Sequence, residues 1–132
     1  MQFNIPDSEI VFEIPCAWLR EGNAIGFSPT TPAYLFEPDP VWPNVVVVPF
    51  SEVAPIVRDA GVVGLHEDRT VSLLRAITTG HAVPAVEADE PTQPMVRRYR
   101  VRNGYHRFYI SAALGFSHVP LSVKPYFDFG AL

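Results

Sequence analysis

Asn103-Gly104-Tyr105-His106-Arg107 is the stretch of this sequence best equipped for chemistry. A glycine that turns a strand directly into a helix leaves the first N–H groups of that helix without intrahelical acceptors. The helix dipole adds about half a positive charge at the same place. Such an end is an anion site before any side chain is counted. Gly104 lets the backbone approach a ligand closely. His106 and Arg107 fall in the first turn and add charge-assisted hydrogen bonds, and arginine matches phosphate oxygens two at a time. Asn103 and Tyr105 flank the glycine, and one or more of Arg98, Arg100 and Arg102, Arg102 foremost, is expected to complete the cradle. One alternative stays open: His106 and Arg107 lie on a helix surface, with Arg107 paired to an acid from the N-terminal half.

Charge is distributed to suit a local anion. The net charge is −4 over 132 residues. Residues 1–96 hold 4 arginines and 13 acids, a net of −9, whereas residues 97–132 hold 6 basic residues and 1 acid, a net of +5. Five of those six are Arg97, Arg98, Arg100, Arg102 and Arg107. A concentrated arginine field on an acidic protein points to a small anionic ligand more than to a broad nucleic-acid surface.

Candidate catalytic groups are few. Glu67 and Asp68 could supply a carboxylate and His106 a proton. His66, His81 and His118 lack metal-ligand spacing, and Glu87, Asp89 and Glu90 read as solvated surface, so no metal site is expected. Tyr105 and Tyr109 are candidates either for stacking on a base or for packing.

The elements that must position these groups follow from pattern. A hydrophobic fraction of 48% supports a real core. Seven of the 14 prolines lie in residues 1–44, read as an N-terminal proline-rich extension packed on the core. Within it, Glu9–Ile14 is read as a strand and Ala17–Arg20 as a short turn of helix or a strand. Ser28–Pro43 is read as an ordered surface arm packed by Tyr34, Leu35, Phe36 and Trp42. Residues 45–132 are read as one globular unit. Val45–Pro49 is expected as a buried strand and Ser51–Arg58 as a short helix. Glu67–Thr79 is expected as a helix stopped by Gly80. Pro84–Glu87 is read as a short edge-like strand and Ala88–Met95 as a loop. Val96–Asn103 is expected as a strand with Tyr99 and Val101 on one face and Arg98, Arg100 and Arg102 on the other. A helix over Tyr105–Leu114 and a strand over Val119–Val123 complete an α/β (α+β) fold: a small mixed sheet with helices. The lone Cys16 excludes an internal disulfide and suits a reducing compartment. The N-terminus has neither a basic start nor a long apolar run, and no stretch is apolar for long enough to span a bilayer. The expected location is the cytoplasm.

The run Asn103-Gly104-Tyr105-His106-Arg107-Phe108, followed by Ala112-Ala113-Leu114-Gly115-Phe116 and Val119-Pro120-Leu121-Ser122-Val123, resembles the core motif of the ParB/sulfiredoxin superfamily, the ParB-like nuclease domain of bacteria. The resemblance covers about residues 45–124. It implies a nucleotide or other phosphorylated ligand, ATP or CTP with magnesium, bound by the glycine turn and its His/Arg pair. Sulfiredoxins keep a cysteine where this chain has Tyr105. The superfamily's serine kinases keep an acid where it has Asn103. The expected function is therefore phosphate binding without established catalysis. Two alternatives stay open: a nucleotide-dependent phosphotransferase, hydrolase or nuclease, and a non-catalytic DNA- or protein-interaction module. DNA is the less favoured partner, a membrane is not expected, and a homodimer is an open option.

Overall fold

The computed structural model of the chain describes residues 1–37, 40, 44–55, 64–91 and 97–124. Trp42, the end of the expected Ser51–Arg58 helix, Val96 and the C-terminal aromatic tail lie outside these residues.

The fold is mixed α/β. Strands β1 (Gln2–Asn4) and β2 (Val11–Glu13) form an antiparallel hairpin, followed by helix α1 (Cys16–Glu21). Strand β3 (Phe36–Glu37) pairs in parallel with β6 (Val83–Pro84). The main sheet has five strands in the order β4 (Val45–Pro49), β9 (His118–Lys124), β7 (Val86–Asp89), β8 (Tyr99–Asn103) and β5 (Val53–Ala54). Helix α2 (Glu67–Thr78) precedes β6, and helix α3 (Tyr105–Ala113) joins β8 to β9.

Helix α2 forms where the apolar spacing places it, burying Val71, Leu74 and Ile77 on one face. It also packs against α1, whose C-terminal cap is Gly22. A Cβ at Gly22 would sit 2.5 Å from Cβ of Leu74, so only glycine lets the two helices approach this closely. Strand β8 alternates as expected: Tyr99 and Val101 are buried, Arg100 and Arg102 exposed. Helix α3 is buried along most of its length. It meets the sheet side through Phe108, whose ring packs edge-on to Phe50 at 5.2 Å. Tyr109 meets Phe12 of the hairpin in the same way at 5.1 Å. Each such pair adds about 1 kcal/mol to the burial itself.

Four expectations are corrected. Val45–Pro49 is a strand but an edge one; among the described residues it pairs only with β9, and Val47 is 44% exposed. The expected edge-like strand Pro84–Glu87 is divided: Pro84 ends β6 in the two-stranded sheet, whereas Val86 and Glu87 belong to β7, which lies between β9 and β8 and continues through Ala88 and Asp89, buried where a loop is expected. The expected helix from Ser51 is a 3-10 turn at Phe50–Glu52, after which Val53 pairs with Tyr99. In the proline-rich arm Tyr34 is buried, but Leu35 is 61% exposed. That arm is held by backbone bonds, from Val83 N–H to the Leu35 carbonyl and from His118 N–H to the Pro32 carbonyl.

Candidate functional site

The first turn of α3 is built around Gly104. This residue is the helix N-cap with φ 100° and ψ 32°, a left-handed conformation that side chains rarely adopt. Its N–H donates to Oδ1 of the preceding Asn103 at 2.9 Å, so Asn103 serves the turn directly. The Arg107 side chain folds back over the glycine. A Cβ at position 104 would meet the Arg107 guanidinium at 3.1–3.2 Å. Nη1 of Arg107 donates a short hydrogen bond to the Ala85 carbonyl.

Tyr105 and His106 point inward and hold the start of α2. The Tyr105 hydroxyl accepts the Gly64 N–H at 3.0 Å. Nε2 of His106 accepts the N–H of His66, the N-cap of α2, at 2.9 Å. The His66 and His106 rings stack with centroids 5.7 Å apart. The positive ends of two helices, of 12 and 9 residues, therefore meet at one place.

A cavity of about 410 Å³ opens there. Arg69, Ser72 and Leu73 of α2 form one wall, residues 103–107 the other, and Pro84 closes an end. The size suits a small organic ligand. Two guanidinium groups, two helix N-termini, Ser72, Asn103 and His106 supply polar contacts, while Leu73 and Pro84 supply an apolar surface. A second cavity of about 330 Å³ lies on the other side of Arg107, bounded by Glu37, Pro84, Ala85, Glu87 and Ser122 among others. The extension reaches this region. Tyr34 donates from its hydroxyl to the Pro84 carbonyl at 2.8 Å. Burial holds the Tyr34 phenol above its ordinary range, and the charge of Arg107 pulls it back only in part.

Asn103, Gly104, Tyr105, His106 and Arg107 thus come together on one cavity. Arg102 does not join them: it is exposed and lies 3.7 Å from the Asp89 carboxylate. Arg100 binds Asp89 with two nitrogens, at 3.2 and 2.8 Å, and Arg98 pairs with Glu90 at 3.0 Å. Arg97 donates to the Phe50 and Asp7 carbonyls. Of Glu87, Asp89 and Glu90, expected as solvated surface, Glu90 is exposed as expected, Glu87 is half-buried and Asp89 is 1% exposed; each pairs with a basic residue. Glu67 and Asp68 are exposed in the first turn of α2 and do not line the cavity. Tyr105 is buried, so its ring packs against Tyr109 at 4.9 Å.

Sequence reasoning missed Arg69 and Ser72. No local signal singles them out, because Glu67 and Asp68 in the same first turn already complement the helix dipole. Among the described residues no three His, Cys, Asp or Glu side chains form a metal-binding group. Among them, too, no helix is long and apolar enough to cross a membrane. Comparison of the chain with protein-family models, with curated proteins and with solved structures found no match.

Proposed function

We propose that this chain is a ParB/sulfiredoxin-like domain that binds a nucleotide or other phosphorylated small molecule in the Gly104 cavity and holds it without transforming it. The observation that carries the reading is that Arg69 and Arg107 line one cavity at the meeting point of two helix N-termini. Every fixed charge and dipole described there is positive or neutral, and a phosphate supplies the missing sign. Binding without reaction fits the residues present. Asn103 spends its carboxamide oxygen on Gly104, and the carboxylates of Glu67 and Asp68 lie off the cavity. A DNA surface is less well supported, because Arg98, Arg100 and Arg102 face acids of the same chain. The cytoplasm, where nucleotides are abundant and a lone thiol stays reduced, is the setting this reading implies.

Thermal unfolding with a panel of nucleotides and phosphate esters, with and without magnesium, tests the proposal. A ligand at a hundredfold excess over Kd stabilises the protein by about 2.7 kcal/mol. The shift is expected for at least one panel member and is expected to disappear in Arg107→Ala. A panel without any shift sinks the reading.

A further inference from the structure

His106 holds its neighbour through a bond that depends on its protonation state. Nε2 accepts the His66 N–H, and an accepting ring nitrogen carries no proton. The neutral ring therefore keeps its one proton on Nδ1. A second proton, taken from solvent onto Nε2, sets N–H against N–H, and the bond to His66 is lost. His106 is only 6% exposed, so its charged form is poorly hydrated. The described groups that face it add to the bias. The His66 ring stacks on it, the Tyr105 ring meets it edge-on at 5.6 Å, and Arg69 and Arg107 share its cavity. Glu67 and Asp68, next to His66 in sequence, are exposed and outside the cavity. The described groups thus favour neutral His106 while no anion is bound. An anion in the cavity reverses the sign of the local field and offers the ring an acceptor.

We infer that the pocket takes up its anion together with a proton, His106 exchanging its hold on the His66 N–H for a charged hydrogen bond to the ligand. The inference rests on the anion-pocket reading above. No bond between heavy atoms changes: Nε2 takes a proton from a solvent or buffer acid, Nδ1 keeps its own, and the His66 N–H is released. The start of α2 then retains the bond from Gly64 N–H to the Tyr105 hydroxyl. Occupancy of the pocket is in this way communicated to the N-terminus of α2. The bound form has the higher imidazole pKa, so affinity is greatest at low pH and falls as pH rises through the imidazole range.

Phosphate itself titrates near pH 6 and would obscure the result. Sulfate keeps its charge between about pH 5 and 8, where histidine is the side chain that titrates. Calorimetry of sulfate binding in buffers of different ionisation enthalpy reads the proton count directly. The expected result is an uptake approaching one proton per sulfate near pH 7.5, with affinity rising up to about tenfold per unit fall in pH. His66→Ala removes the other imidazole but keeps the backbone N–H, and uptake is expected to persist. His106→Gln keeps an acceptor that does not titrate; it is expected to bind sulfate more weakly and with no uptake. Imidazole nitrogen shifts in the wild-type protein give the same answer without a variant: Nε2 bare before sulfate, both nitrogens protonated after. Binding without uptake, uptake that survives His106→Gln, uptake lost in His66→Ala, or unchanged nitrogen shifts would each overturn the inference and leave the pocket standing. No sulfate binding at any pH would remove the anion pocket, and this coupling with it.

Discussion

Arg100 and Arg107 belong to one arginine-rich segment, yet they do opposite things. On β8, Arg100 and Arg102 turn to a buried carboxylate, and Arg98 turns to Glu90. Their charge is cancelled within the chain. In the first turn of α3, Arg107 bonds to a carbonyl, which orients the guanidinium, and it forms no ion pair among the described residues. Arg69 meets no carboxylate among the described residues, and it faces Arg107's cavity from another helix. A run of arginines therefore does not by itself mark a binding surface. What marks one is an arginine positioned by neutral partners beside an open volume.

The sharpest way to break this contrast is Arg100→Ala. It leaves Asp89, 1% exposed, with Arg102 at 3.7 Å as its one remaining basic partner among the described residues. Uncompensated buried charge costs about 3 kcal/mol or more. Denaturant unfolding should show that loss, while sulfate affinity measured on the folded protein stays within about twofold. A fall in affinity comparable to that of Arg107→Ala would show that the two regions form one site after all.

Gly104→Ala should sharpen the contrast from the other side. The left-handed backbone costs an L-residue about 1–2 kcal/mol, and the new Cβ presses on the Arg107 guanidinium. Stability and sulfate affinity should fall together. If affinity is unchanged, the folded-back position of Arg107 is not the one that grips the anion.

The smallest expected effect is that of Tyr34→Phe. It removes the bond to the Pro84 carbonyl, about 1 kcal/mol of stability. It should also change the alkaline limb of the stability profile. Burial raises the Tyr34 and Tyr109 phenols above their ordinary range. Their contribution is complete below about pH 10, where the unfolded chain begins to ionise, and is lost as pH rises further. Unfolding followed from pH 9 to about 11.5 should give a shallower decline in the variant.

The run from β8 through α3 to β9 was readable because each feature there has one dominant cause. Alternation sets the faces of β8, Gly104 ends it, and the apolar stretch after Tyr105 demands a buried helix. Strand β7 was not readable. Its Glu87 and Asp89 look like surface acids, and Glu90 follows them. Only the pairing of β7 with β8 explains them, since it sets Asp89 opposite Arg100. The position of β4 at an edge was hidden for a related reason: four valines fit either a central or an edge strand, and pairing partners decide which. Arg69 was overlooked because the face of α2 that meets α3 depends on the bonds from Gly64 and His66, which join residues about 40 positions apart in sequence.

The join between β6 and β7 also bears on where this protein can be cut. Two successive carbonyls there, Pro84 and Ala85, accept from Tyr34 and from Arg107. One donor comes from the proline-rich extension and the other from the pocket wall. A fragment beginning at residue 45 would lack Tyr34, the strand that pairs with β6, and the Glu37 side of the second cavity. The extension thus braces the β6–β7 join from outside: a fragment without it keeps every residue that lines the Gly104 cavity but loses the donor and the strand that steady Pro84 at its end.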